Sequence, residues 1–386
     1  MKHEIKLREF DFESKNYQIL PGTAQYYCAK HDKSIRLNIA GEDSVSRGNN
    51  AFSRDIDVLE NRCFRYQILT PQDAKRTNKI TFMFHGFNEK DWTKYLPWAE
   101  TICQKTGSSV VLFPIAFHMQ RAPKRWSNPR DMYAQCKQRK ILYPKVESSS
   151  FSNVAISLRI HNLPNRFIWS GLQSYYDVLQ LVEECKSGLH PYIDKDFKAD
   201  FFAYSIGGFL ALTLKLCNFE GYFSDSKVCL FCSGAALRDL APVSKFILDS
   251  EAYAALYSYI ITNFEQNRRK DELVSHYLGG EHPEGQILYS LFDVANLQKT
   301  REDLLKLYQH QIFAIGLTKD TVIAPRGISR LLKGEHRDIS IPVHELDFDR
   351  IYSHEDPFSI SRLSCEETKK DFDSVFSLVC SFFTGS

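Results

Sequence analysis

The chain has 386 residues, 43% of them hydrophobic and 13% aromatic, enough to bury a large core in one big domain with insertions or in one domain with a small appendage. Lys and Arg number 49 against 47 Asp and Glu with no recurring single-sign block, which argues against a nucleic-acid-binding or anionic-membrane-binding protein. Ten cysteines in so long a chain do not make a disulfide framework, and Cys103, Cys185, Cys217, Cys229 and Cys380 lie in apolar runs where a buried thiol is the ordinary role.

The first twenty residues carry charges throughout and lack the apolar core of a secretory signal. The longest apolar run, VVLFPIAF from Val110, falls far short of the roughly 20 residues that span a bilayer. A cytoplasmic protein without a membrane span is expected. Residues 1–60 are polar and mixed, include the Gly/Asn/Ser-rich piece GEDSVSRGNN (41–50), and form an N-terminal extension to which the sequence assigns no structure.

Further along, CFRYQILTP (63–71) reads as an extra strand at a sheet edge. Short runs that are apolar on both faces follow: 79–87, 108–117, 198–205, 227–235, 310–317 and 339–348. Between them lie stretches with helical periodicity at 94–105, 167–185, 207–218 and 327–332, and 371–383 closes the chain. Alternation of this kind predicts a doubly wound, mostly parallel α/β sheet flanked by helices over residues 61–386. Two connections are too long for simple crossovers, a basic, proline-dotted one at 118–166 and a mostly helical one at 236–308. Excursions on such a scaffold serve as lids over the strand ends or merely thicken the fold.

The chemistry begins in DFFAYSIGGFLAL. Ser205 stands between a strand and a helix, where a sharp turn drives the apical residue to positive φ and requires small neighbours two positions away on either side. Ala203 and Gly207 meet that requirement, and Gly208 lets the helix approach the sheet. Ser205 is then a candidate nucleophile at a helix N-terminus; its other reading is a helix cap. FMFHGFN ends an earlier strand, so the N–H of Phe87, with that of Ile206, is a candidate oxyanion hole. Gly86 lets that loop turn, His85 is expected to hold it, and Asn88 either adds a donor or caps the turn.

A base and its orienting acid come from the last two loops. Asp320 directly follows the strand at 310–317 and either accepts a histidine Nδ1–H or caps the next helix; Asp239, several residues beyond the strand at 227–235, is the alternative acid. Of twelve histidines His354, in the loop after the last strand, has the position of a base, ahead of His344 and His118. The pair Cys229 and Cys232 has metal-site spacing but sits in a buried strand with no second Cys/His pair nearby, so no metal or other cofactor is expected. In RAPKRWSNPRDMY, Arg125 and Trp126 are candidates to border the pocket mouth and favour anionic substrates, the alternative being a solvated basic loop.

The order Ser205, Asp320, His354, preceded by His85-Gly86, resembles the α/β-hydrolase superfamily from about Cys63 to the C-terminus. The family's G-x-S-x-G turn stands here as Ala203-Tyr204-Ser205-Ile206-Gly207, departing at one small residue. The resemblance implies a serine hydrolase with a lid and does not name the substrate; the aromatic, apolar flavour of the second excursion favours an esterase-like enzyme acting on a small-molecule ester or thioester. An amidase or peptidase of the same fold, or an inactive hydrolase-fold binding module, are the alternatives.

Overall fold

In the computed structural model, which describes residues 5–37, 54–71 and 75–385, the strands in chain order are β1 (Ile5–Glu13), β2 (Gln25–Cys28), β3 (Lys33–Arg36), β4 (Cys63–Pro71), β5 (Thr77–Phe84), β6 (Ser109–Leu112), β7 (Ile193–Tyr204), β8 (Val228–Phe231), β9 (Ile312–Leu317) and β10 (Val343–Leu346). Eight of them form one sheet in the order β1-β4-β6-β5-β7-β8-β9-β10, and β2 pairs with β3 in a separate hairpin. From β6 to β10 every pairing is parallel; β4 runs antiparallel to both β6 and β1. This is an α/β-hydrolase-like fold.

Residues 63–71 do form a strand, yet they are not the edge of the sheet. β1 covers β4 along its whole length, from Ile5 opposite Pro71 to Glu13 opposite Cys63. Its sequence suits an edge: Phe12 turns into a cluster with Phe64 and Phe113, while Lys6, Glu9, Asp11 and Glu13 remain exposed and blunt the free side. The stretch 41–50 lies outside the described residues.

Alternate side chains of the central strands point to opposite faces, each covered by its own helices. Met83, Phe202 and Tyr204 pack under the helices Leu96–Thr106 and Glu366–Thr384, whereas Phe82, Phe84, Phe201 and Ala203 pack under Arg166–Lys186 and Gly207–Cys217. Burial on both faces explains why these strands read as unbroken apolar runs. No described helix is long and apolar enough to cross a membrane.

The first excursion contains the helices Pro129–Leu142 and Val154–Asn162; the second runs through short helices beginning with Ser250–Tyr257. They lock together. A buried ion pair joins Arg139 to Asp249, with Nη2 to Oδ1 at 2.7 Å, and Asn153 Nδ2 donates to the Ser244 carbonyl at 2.8 Å.

After β5 the chain crosses to β6 on one side and later returns to β7 on the other. The carboxyl ends of β5 and β7 therefore border the crevice where strand order reverses, the usual ligand position in an open α/β sheet. Phe84 lies opposite Ala203, so the loops carrying Gly86 and Ser205 leave the sheet side by side.

Candidate active site

Ser205 follows β7 directly and has φ +54°, a left-handed conformation unusual for a serine. The helix Gly207–Cys217 starts two residues later, so the chain reverses within the turn. A Cβ at Gly207 would stand 2.7 Å from the Phe84 carbonyl oxygen, and one at Gly208 would overlap Ser233 Oγ; the close approach of helix and sheet rests on both glycines. Ser233 also donates to the Ser205 carbonyl, fixing the turn from β8's side.

His354 reaches the turn from the loop beyond β10. Its Nε2 lies 2.8 Å from Ser205 Oγ and its Nδ1 lies 2.7 Å from Asp320 Oδ2. The other carboxylate oxygen of Asp320 accepts the N–H groups of Val322 and Ile323 at 2.8 and 2.9 Å, which holds the side chain towards the imidazole. Asp239 is elsewhere: it pairs with Arg330 at 2.9 Å. Tyr204 braces the histidine, with its ring nearly parallel to the imidazole at 17° and its hydroxyl donating to the His354 carbonyl. Ser205, His354 and Asp320 are all buried.

The loop after β5 is similarly braced. His85 uses both ring nitrogens, Nδ1 against the Gly86 carbonyl at 2.8 Å and Nε2 accepting the Ile115 N–H at 2.9 Å. Complete burial drives its pKa down to about 3, so it is neutral and holds two segments of backbone together. The Gly86 N–H donates to Tyr95 Oη, which donates to Glu89, and Glu89 pairs with Lys94. Lys94 in turn donates to the carbonyl of Glu355, next to His354, at 2.9 Å. The sequence reading passed over this Glu89–Lys94–Tyr95 group; the run NEKDWTKY beside His85-Gly86 is the signal that would have found it.

Among the described residues the N–H groups of Phe87 and Ile206 have no hydrogen-bond acceptor. Asn88 does not join them. Its amide donates to the carbonyls of Ser152 and Phe246, one in each excursion, and its oxygen accepts from Lys90. Phe87 and Ile206 border a cavity lined mainly by apolar side chains, among them Ile160, Phe209 and Leu288. His118 and Arg159 are polar members of that lining. Burial pushes the His118 pKa well below its ordinary range and that of Arg159 down to about 10, with Asp55 2.6 Å from the guanidinium.

Arg125 and Trp126 are not part of this lining. Trp126 is buried in the main core, and Arg125 is exposed on a short turn. Two cations of the same basic stretch, Arg121 and Arg139, are committed to buried ion pairs with Asp177 and Asp249. The stretch thus splits between internal pairing and surface, since aromatic anchors such as Trp126 draw it onto the core. Cys229 and Cys232 are buried at β8, where burial raises both thiols well above their ordinary range, and Cys232 faces Asp320.

No curated protein matches the sequence. Among solved structures, the chain is similar to esterase Est22, with a TM-score of 0.47 at 12% identity over 99% of this chain and 82% of that one. It is also similar to an esterase of Pyrobaculum calidifontis, with a TM-score of 0.43 at 12% identity over 83% and 81%. Carboxyl esterase 2 of the mycorrhizal fungus Tuber melanosporum gives 0.42 at 13% over 83% and 80%. The model of the family of unknown function DUF6051 matches residues 1–384, and the chain belongs to that family.

Proposed function

We propose that the protein is a serine hydrolase, esterase-like, that cleaves a small carboxylic ester or thioester through an acyl-enzyme. The observation that carries the reading is the continuous hydrogen-bonded series from Ser205 Oγ through His354 to Asp320, at 2.8 and 2.7 Å.

In this mechanism His354 Nε2 accepts the proton of Ser205 as Oγ attacks the substrate carbonyl, and Asp320 stabilises the imidazolium through Nδ1. The N–H groups of Phe87 and Ile206 receive the developing oxyanion, with the positive end of the helix Gly207–Cys217 behind them. Collapse of the tetrahedral intermediate breaks the bond to the leaving group, which takes the proton from His354. Water then adds with His354 as base, and the acid is released with Ser205 regenerated. The apolar cavity beside Phe87 and Ile206 receives the acyl group, which favours an uncharged hydrocarbon portion. The two excursions, joined through Asn88, form the cover.

Labelling the full chain with a fluorophosphonate probe and mapping the modified peptide tests this reading. The adduct is expected on Ser205 and is absent from Ser205→Ala. A folded, unlabelled wild-type protein overturns it in favour of an inert binding module.

A further inference from the structure

The β2–β3 hairpin carries Cys28 at the end of its first strand and His31 in the turn that follows. His276 ends the short helix Glu272–His276, and His282 follows the π-helical turn Tyr277–Glu281 in the second excursion. Cys28 and His282 are 254 positions apart in the chain, yet one N or S atom from each of the four residues lies within 4.8 Å of all the others. Cys28 Sγ is 3.5 Å from both His31 Nδ1 and His282 Nε2, and the Nε2 atoms of His276 and His282 face each other at 3.1 Å. Cys28, His276 and His282 are buried, and His31 is exposed.

Hydrogen bonding does not satisfy every polar atom of this group, since among the described residues the buried His276 Nδ1 makes no hydrogen bond. Glu284 Oε1 lies 2.7 Å from His282 Nδ1, and a neutral histidine that donates Nδ1–H presents a bare lone pair at Nε2. Glu281 Oε2 stands 2.7 Å from His276 Nδ1 as a charge partner. The His282 lone pair thus faces both His276 Nε2 and the Cys28 sulfur, and a cation placed among these three atoms would be held by all of them. A carboxylate behind the far nitrogen is also the arrangement that orients a metal-bound imidazole. Lys33, 3.4 Å from Glu281, and Lys30, 4.0 Å from Glu284, balance those carboxylates at the surface.

Three of the six distances among the ligand atoms match the edges of a zinc tetrahedron. Tetrahedral Zn²⁺ with bonds of about 2.0–2.1 Å to nitrogen and about 2.3 Å to sulfur has ligand-to-ligand edges of about 3.3 Å for N···N and about 3.6 Å for N···S. The three close contacts fall within about 0.2 Å of those edges. One thiolate and three imidazoles suit zinc, and four protein ligands leave no open position.

We propose that Cys28, His31, His276 and His282 hold one structural Zn²⁺ that clips the β2–β3 hairpin to the second excursion. The Cys28 thiol releases its proton to solvent on binding, and no redox change is involved. A two-stranded hairpin has little stability of its own, and among the described residues β2–β3 pairs with no strand of the main sheet, so the clip supplies what the sheet does not.

Untagged full-length protein tests this by metal analysis, which is expected to find about one zinc per chain. Removing it with a chelator is expected to lower the unfolding midpoint by at least ~5 °C, restored by Zn²⁺ alone. Reconstitution with Co²⁺ is expected to give intense tetrahedral visible bands and a near-ultraviolet thiolate-to-cobalt transition, the latter lost in Cys28→Ser. His31 is exposed, so His31→Ala keeps the fold while weakening zinc affinity by at least ~10-fold. A wild-type chain that neither contains zinc nor binds added Zn²⁺ overturns the proposal. So does undiminished zinc affinity in both His31→Ala and Cys28→Ser, which would mark the metal as adventitious.

Discussion

The side-chain amide of Asn88 donates to the carbonyl oxygen of Phe246 at 2.6 Å, and its second bond, 3.1 Å to Ser152, ties the other excursion to the same residue. One side chain adjoining the candidate oxyanion hole therefore holds both excursions. Asn88→Ala is expected to lower stability by ~1–3 kcal/mol through loss of two hydrogen bonds. Phe246 is exposed, so chymotrypsin is expected to cut there faster in the variant than in the wild type. Unchanged cleavage and an unchanged denaturation midpoint would show that Asn88 does not hold the two excursions together.

Ser205→Ala is expected to abolish hydrolysis of activated short-chain esters and leave the circular dichroism unchanged. Asp320→Asn is expected to lower kcat by ~10³–10⁴-fold, through loss of the imidazolium partner. Asp239, paired with Arg330, serves as the control: Asp239→Asn is expected to change kcat by less than ~3-fold, an exposed ion pair contributing little. A large effect at Asp239 and none at Asp320 would move the acid.

Gly207→Ala adds a methyl group 2.7 Å from the Phe84 carbonyl, a backbone atom that cannot swing aside. The expected loss is ~1–3 kcal/mol, together with reduced kcat as the turn shifts Ser205 away from His354. Equilibrium urea denaturation and steady-state kinetics check the two halves.

Arg139 and Asp249 are both buried, so removing one leaves the other charged and unpaired. Arg139→Ala is expected to destabilise the chain by ~3–5 kcal/mol. Asp249 also caps the helix Ser250–Tyr257 by accepting the Ala252 N–H at 3.0 Å. The double variant Arg139→Leu/Asp249→Asn keeps a capping oxygen and is expected to recover most of the loss.

His85 should make stability depend on pH. Its folded pKa, driven by burial to about 3, lies below the ordinary histidine value of 6.5, so the unfolded chain binds the extra proton between them. Stability is thus fully present above about pH 6.5 and declines as the pH falls towards 3, with a limiting slope of ~1.4 kcal/mol per pH unit for this group. Buried His118 acts in the same direction. His85→Gln, which retains an acceptor for Ile115, is expected to make the acid limb shallower by about one proton; an unaltered slope would assign the effect to other groups.

Local rules made part of this molecule legible in its sequence. The parallel strands are buried on both faces and so read as continuous apolar runs, and the turn at Ser205 shows itself because steric demands two residues away admit only small side chains. Those constraints act over a few residues and are written where they act. Whether residues 63–71 lie at an edge depends on β1, which pairs from fifty-odd positions upstream and reads as a charged, mixed stretch because an edge strand keeps one side in water. Which aspartate faces His354, and where the Asn88 amide is spent, follow from loops that meet only after the sheet has assembled. The clearest case is the cluster of Cys28, His31, His276 and His282: Cys28-x2-His31 and His276-x5-His282 each have the spacing of half a metal site, but the two pairs lie far apart in the chain and only packing of the hairpin against the second excursion brings their ligand atoms within 4.8 Å of one another.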